Sequence, residues 1–202
     1  VRKRPGIVAC FAIVAALGAL GSPVFQLLVV FAEEVFAVGD VRYGLLGAAL
    51  GVGAIVTAPV VAGPGGGVRR SRLITVAVLG YGAALVAFAL APGYVFGLLA
   101  LSVVGGGYLA IASTLNTTIQ LQVDEAVRGK VLAVYLMLLT AALPIGSLVQ
   151  GALVELIGPR ATVASAGGVF LAVVSWLRWG TGLVDRMDDL PAAQSSPEPS
   201  PH

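Results

Sequence analysis

Six stretches long enough to cross a bilayer, each without a charged residue in its central portion, decide what this chain can become. They run roughly Ile7–Ala32, Tyr43–Gly63, Leu73–Ala91, Val95–Thr118, Val131–Ile157 and Ala161–Trp179. A spanning helix needs about 20 apolar residues, because the hydrocarbon core is about 30 Å thick and each helical residue rises 1.5 Å. Between the stretches lie interface-type separators: Glu33–Arg42, Gly65–Arg72, Pro92-Gly93, Asp124–Lys130 and Gly158-Pro159-Arg160. Composition agrees, with 58% hydrophobic residues and only 11% charged ones. A soluble domain carries roughly 25% charged residues to cover its surface. The expected fold is therefore an all-α membrane protein with six transmembrane helices.

The basic start, Arg2, Lys3 and Arg4 before Ile7–Leu20, imitates a signal peptide. A signal peptide delivers a soluble mature domain, however, and the later sequence is as apolar as the start. Three segments follow: a cytoplasmic basic segment at 1–6, a six-helix domain at 7–180, and a disordered cytoplasmic tail at 181–202, rich in Pro, Ser, Ala and acidic residues.

Lysine and arginine counts orient the helices. With the N-terminus in the cytoplasm, Arg2, Lys3, Arg4, Arg69, Arg70, Arg72, Arg128, Lys130, Arg178 and Arg186 are all cytoplasmic, and only Arg42 and Arg160 fall outside. Both termini are then cytoplasmic. Tyr94, Trp176 and Trp179 suit an aromatic belt at span ends. The net charge of +2 gives no reason to expect nucleic acid as a partner.

Catalytic chemistry finds no residues to use. The single Cys10 and single His202 leave no Cys or His metal cluster and no His-dependent triad. Gly65-Gly66-Gly67-Val68-Arg69-Arg70 is Gly-rich but lacks the Lys and Ser/Thr of a phosphate-binding loop. No catalytic residue, no metal and no cofactor is expected.

Polar residues inside spans need partners or a wet cavity. Gln26 and Gln150 fall in the outer halves of the first and fifth helices, and Asn116, Thr117, Thr118 and Gln120 gather at the cytoplasmic end of the fourth. Gln26, Gln150, Asn116 and Gln120 are the candidate substrate-binding residues, with interhelical hydrogen bonding as the alternative role. Glu33, Glu34 and Glu155 lie at outer helix ends and read as solvated interface charges. The third and sixth helices are nearly free of strongly polar residues, which places them against lipid and the first, second, fourth and fifth nearer a cavity.

Small residues cluster at Gly44, Gly47, Gly51 and Gly53, at Gly105–Gly107, and at Gly146, Ser147 and Gly151. Such faces let helix backbones approach closely in lipid. Pro23, Pro59 and Pro144 predict kinks. Gly63 with Arg72 and Gly151 with Arg160, each pair nine residues apart, faintly repeat in the two three-helix groups, as an inverted repeat requires.

The stretch Val123-Asp124-Glu125-Ala126-Val127-Arg128-Gly129-Lys130-Val131 leads into Tyr135 and Pro144-Ile145-Gly146-Ser147. It closes with Gly151-Ala152-Leu153-Val154-Glu155-Leu156-Ile157-Gly158-Pro159-Arg160. This pattern resembles the second half of a major facilitator superfamily transporter, in the bacterial branch of enterobactin exporters and macrolide-efflux proteins. There, a short acidic-then-Arg-Gly-basic loop precedes the eleventh helix. Tyr43-Gly44-Leu45-Leu46 is similar to the start of that branch's eighth helix. The resemblance implies one six-helix half of a twelve-helix exporter, the C-terminal one, built as a 3+3 inverted repeat in a bacterial plasma membrane. A start at Val1 without Met fits a fragment. The resemblance further implies efflux of a small amphipathic compound, drug or siderophore, by proton antiport. The partners would be lipid, that substrate, and an N-terminal six-helix half or a second copy of the chain. Arg128, with Asp124, Glu155 and Arg160, would form gating contacts. A homo-oligomeric six-helix channel or an accessory structural protein is the alternative.

Overall fold

The computed structural model describes residues 5–62, 70–123 and 125–184. Outside them lie Arg2, Lys3 and Arg4, the Gly-rich loop with Gly63 and Arg69, Asp124, and the tail from 185 to 202 with Arg186. Six helices are long and apolar enough to span a membrane: α1 Gly6–Val35, α2 Asp40–Ala62, α3 Ser71–Ala89, α4 Tyr94–Gln122, α5 Glu125–Ile157 and α6 Pro159–Gly180. Among the described residues there is no strand.

Each helix begins before its apolar stretch, because a helix outside the hydrocarbon can continue through the interface on polar side chains. The largest overrun corrects the expected loop at Asp124–Lys130. Glu125–Lys130 are the opening turns of α5, with Glu125 as the acid of its first turn, where the helix dipole favours negative charge. At 33 residues this helix is about 50 Å long. Past α6 the chain folds back as far as Val184, which is buried against the bundle, so residues 181–184 belong to the folded part rather than to the tail.

α4 packs along both α2 and α3, α3 along α6, and α1 against α5 and α6. Exchanging the first three helices with the last three maps α1 with α5 onto α4 with α2, and α1 with α6 onto α4 with α3. That is the pairing pattern of a 3+3 inverted repeat. The faint repeat of Gly and Arg is less clear in the side chains: Arg72 is exposed, whereas Arg160 is bound to α3.

Backbone contact marks the two symmetry-related crossings. A Cβ on Gly53 would lie 1.7 Å from the Ser102 carbonyl, and one on Gly105 would lie 2.0 Å from that of Leu50. At the other crossing a Cβ on Gly146 would lie 2.1 Å from the Ala19 carbonyl, and one on Gly18 would meet the Ala142 Cβ at 2.8 Å. Gly44, Gly47, Gly51 and Gly151 meet nothing.

α3 and α6, expected against lipid, each bury one face in the bundle and leave the rest open, being 44% and 39% buried along their most apolar stretches. α3 lies between α4 and α6 and buries Val78, Tyr81, Leu85 and Phe88, while α6 buries Val163, Ala166, Phe170 and Val174. Their lack of polar residues reflects apolar packing partners. The open helices are α2 and α5, each only 17% buried along its most apolar stretch, against 67% for α1. Ile55, Val56 and Val60 on α2, and Ile145, Leu148 and Val149 on α5, project large apolar side chains outward.

Pro59 and Pro144 sit inside continuous α-helix. In α1 the α-helical ladder is interrupted, as a bend at Pro23 requires: Leu17–Gly21 widens into a π turn ahead of Pro23, and a second π turn closes the helix at Phe31–Val35. The hydroxyls of Ser102, Thr118 and Thr140 donate to the preceding turn, at Leu98, Thr114 and Leu136, whereas that of Ser147 is buried without a hydrogen-bond partner. Gly158 has φ +82°, open to glycine at little cost, and hands the chain to Pro159 in the first turn of α6.

Candidate functional site

Two ends of the bundle need distinguishing: the end with the connections at 36–39 and 90–93, and the end with the connection at 123–124. Between them, α1 and α4 meet through aromatic rings. Phe25 and Tyr108 pack edge to face at 5.2 Å, and Tyr108 lies 6.4 Å from Tyr81 of α3. Tyr81 also packs edge to face on Phe170 of α6 at 5.5 Å. Tyr135 of α5 is buried and donates its hydroxyl to the Ala112 carbonyl of α4 at 3.3 Å. Four helices thus bring Phe25, Tyr81, Tyr108 and Tyr135 into the bundle, and Gln26, the residue after Phe25, has an exposed side chain.

The Tyr81 hydroxyl is fully buried without a hydrogen-bond partner. It presses on the bend of α1: a Cβ on Gly21 would lie 2.7 Å from the hydroxyl oxygen. Sequence reasoning passed over Tyr81, Tyr108 and Phe25. The available signal was position, since a phenol mid-span, unlike one at a span end, must find a partner for its hydroxyl away from water.

The candidate residues fall into separate places. Gln26 is exposed on α1. Gln150 is buried, and its amide nitrogen donates to the carbonyls of Ala19 and Leu20 at 3.2 and 3.0 Å. Asn116 and Gln120, one turn apart near the 123–124 end of α4, are hydrogen-bonded to each other, Gln120 Nε2 donating to Asn116 Oδ1. Arg128, at the start of α5, is half-buried, and its Nε is enclosed without a hydrogen-bond partner. Asp124, its expected neighbour in a gate, lies outside the described residues. Glu155 is exposed at the other end of α5.

Arg160 donates Nη1 to the carbonyls of Ala89 and Ala91 at 3.2 and 2.8 Å. A cation there satisfies carbonyls left open where α3 ends and complements that end of the helix dipole. Arg160→Ala is expected to lower stability by about 1–2 kcal/mol, towards the low end for hydrogen bonds to a charged group because the side chain is partly exposed. Thermal unfolding in detergent reads this. Arg160→Lys should keep part of the loss, and an unchanged midpoint for Arg160→Ala would remove the capping role.

At the 90–93 end, Arg42 stacks 5.8 Å over the Tyr94 ring, whose hydroxyl donates to the Arg42 carbonyl at 2.8 Å. Among the described residues no group of three His, Cys, Asp or Glu side chains could hold a metal ion.

Six spanning helices paired as two inverted triplets are now in place, and the comparison with protein families names the group. Residues 5–200 match the transmembrane secretion effector family, a major-facilitator-type transporter family. The chain belongs to that family. No curated protein matches it. This secretion effector family member is thus a multi-pass membrane protein of transport type, with the all-helical architecture of a major facilitator half.

Proposed function

We propose that this chain is the C-terminal six-helix half of an exporter that moves a small amphipathic compound, drug or siderophore, out of a bacterial cell in exchange for protons. Both termini lie in the cytoplasm in this reading. The observation that carries it is the family match over nearly the whole chain, whose description as a secretion effector favours outward movement. An N-terminal six-helix half, or a second copy, covers α2 and α5, whose outward faces are rich in Ile, Val and Leu.

Phe25, Gln26 and Tyr108 supply the substrate surface, combining ring faces for an apolar body with an amide for a polar group. Asn116 and Gln120 line the cytoplasmic approach, and Arg128, with Asp124, closes it. Glu155 belongs to the opposite gate. Among the described residues every carboxylate, Glu33, Glu34, Asp40, Glu125 and Glu155, is exposed at or near a helix end. In this reading the carboxylate that carries the proton belongs to an N-terminal half.

The test is accumulation of a cationic amphipathic dye in bacterial cells deprived of their own pumps. Cells expressing the transporter should hold several-fold less dye, and a proton uncoupler should abolish the difference. Equal accumulation with and without the protein would reject export. A difference that survives the uncoupler would reject proton coupling alone. A homo-oligomeric channel would instead equilibrate the dye in whichever direction its gradient runs.

A further inference from the structure

The bend in α1 has a donor deficit. Pro23 lacks the N–H that an α-helix would give to the Ala19 carbonyl four residues earlier. The local chain mends only part of this, as Ser22 turns both its N–H and its hydroxyl to the Leu17 carbonyl, at 2.8 and 3.1 Å. Leu17, Gly18, Gly21 and Ser22 are buried, and Ala19, half-buried among them, lies mid-span, where lipid offers its carbonyl no hydrogen bond. Tyr81, whose hydroxyl packs on Gly21, makes no hydrogen bond. Gln150 of α5, 4% exposed, supplies hydrogen bonds to the bend from another helix, with its amide nitrogen on both Ala19 and Leu20.

Gly146, one turn before Gln150, lets it come that close, for a Cβ there would collide with the Ala19 carbonyl. Two turns of α5 thus fit the bent segment, one by having no side chain and one by carrying an amide. Beyond the bend, the outer limb of α1 carries Phe25, packed on Tyr108, and Gln26.

We infer that Gln150 is a positioning residue: it stands in for the N–H that Pro23 lacks, and so fixes the angle at which the outer limb of α1 presents Phe25 and Gln26. Its amide hydrogens are occupied by the bend, and its influence on transport passes through α1. The part of this inference that concerns transport rests on the export reading. The part that concerns α1 does not.

The consequence is a specific coupling between two distant residues. With alanine at 23, the restored N–H can serve Ala19 itself, and Gln150 becomes dispensable. The experiment compares wild type, Gln150→Leu, Pro23→Ala and the double variant in the full-length protein reconstituted in lipid, with Cys10→Ala throughout. Spin labels at Val29 on the outer limb and Val103 on α4, both exposed, report the limb's position. Gln150→Leu should broaden or shift the distance distribution and raise the KM for dye about three- to twentyfold, the range of interhelical hydrogen bonds in membranes. In the Pro23→Ala background the same substitution should change either quantity less than about twofold.

An equal effect of Gln150→Leu in both backgrounds would overturn the inference, because a plain packing residue does not depend on Pro23. An unchanged distance distribution in Gln150→Leu would overturn it too. If Gln150→Leu yields no folded protein, Gln150→Asn, whose amide falls one methylene short, enters the same comparison. Should wild type move no dye while the labelled distances follow the expected pattern, the export reading fails and the role of Gln150 in α1 stands.

Discussion

Gly105→Ala is expected to remove most folded protein from the membrane, whereas Gly47→Ala, the same one-methyl change in the neighbouring helix, leaves it unharmed or slightly better folded. At position 105 the new Cβ would sit 2.0 Å from the Leu50 carbonyl oxygen, and the obstacle is backbone. No rotamer change can relieve it. α2 must lift off α4, which also separates Gly53 from Ser102 and Gly106 from Thr57. Overpacking of a rigid contact costs about 1–3 kcal/mol or more. In lipid no hydrophobic force returns once the helices part, since the tails are as apolar as the face they cover. At Gly47 a Cβ meets nothing, and replacing glycine in a helix gains roughly 0.5–1 kcal/mol. Gly146→Ala should behave like Gly105→Ala, because it blocks the symmetry-related crossing of α5 on α1. The measurement is the yield of monodisperse protein from solubilised membranes, with thermal unfolding of what is recovered. Comparable losses for Gly47→Ala and Gly105→Ala would show that these close contacts do not hold the bundle together.

That contrast marks how far the sequence could be read. The number of spans was legible because the bilayer fixes one length for all of them, and a run such as Val95–Thr118 declares itself by hydropathy alone. The ends were less so. Arg128 and Lys130 lie outside the apolar run, so they read as loop, yet the helical hydrogen-bond ladder continues through them once the chain leaves hydrocarbon. Which glycines matter was not legible either. Gly44, Gly47, Gly51 and Gly53 look alike as a string, and only the direction of each Cα towards α4 separates Gly53 from the rest. The freedom of α3 from polar residues was visible but ambiguous, since packed helices and lipid reward the same side chains. Gln150 stood out as a polar residue in a span. Its acceptors are backbone carbonyls, which every residue carries, so no pattern of side chains announced that it serves the bend at Pro23. The aromatic contact of Phe25 with Tyr108 depends on how α1 is bent and rotated against α4, which periodicity within either helix does not specify.

Phe88→Ala is expected to destabilise the bundle by about 2–4 kcal/mol, and Phe96→Ala by a few tenths at most. Phe88 of α3 is fully buried, with its ring 4.5 Å from that of Phe31 on the final π turn of α1. Phe36 joins both at 6.2 Å and meets Tyr94 of α4 edge to face at 6.0 Å. Gly97 makes room for the Phe36 ring, since a Cβ there would lie 2.7 Å from its tip. Through Tyr94 the cluster reaches Arg42 at the start of α2, so the 90–93 ends of four helices depend on one set of rings. Truncating Phe88 opens a cavity at the centre of that set. The transfer part of the usual Phe→Ala cost is small in a bilayer, because lipid accepts an exposed phenyl ring as readily as the core does. The lost contacts and the cavity remain, and they shift the expected loss about 1 kcal/mol down from the roughly 3–5 kcal/mol typical of soluble cores. Phe96 is 62% exposed on α4, where lipid can fill the space its ring leaves. Thermal unfolding in detergent or nanodiscs separates the two substitutions. Equal costs would mean that the rings act by apolar area alone, and that the packing of α1, α3 and α4 at this end does not hold the limb of α1 after Pro23 in place.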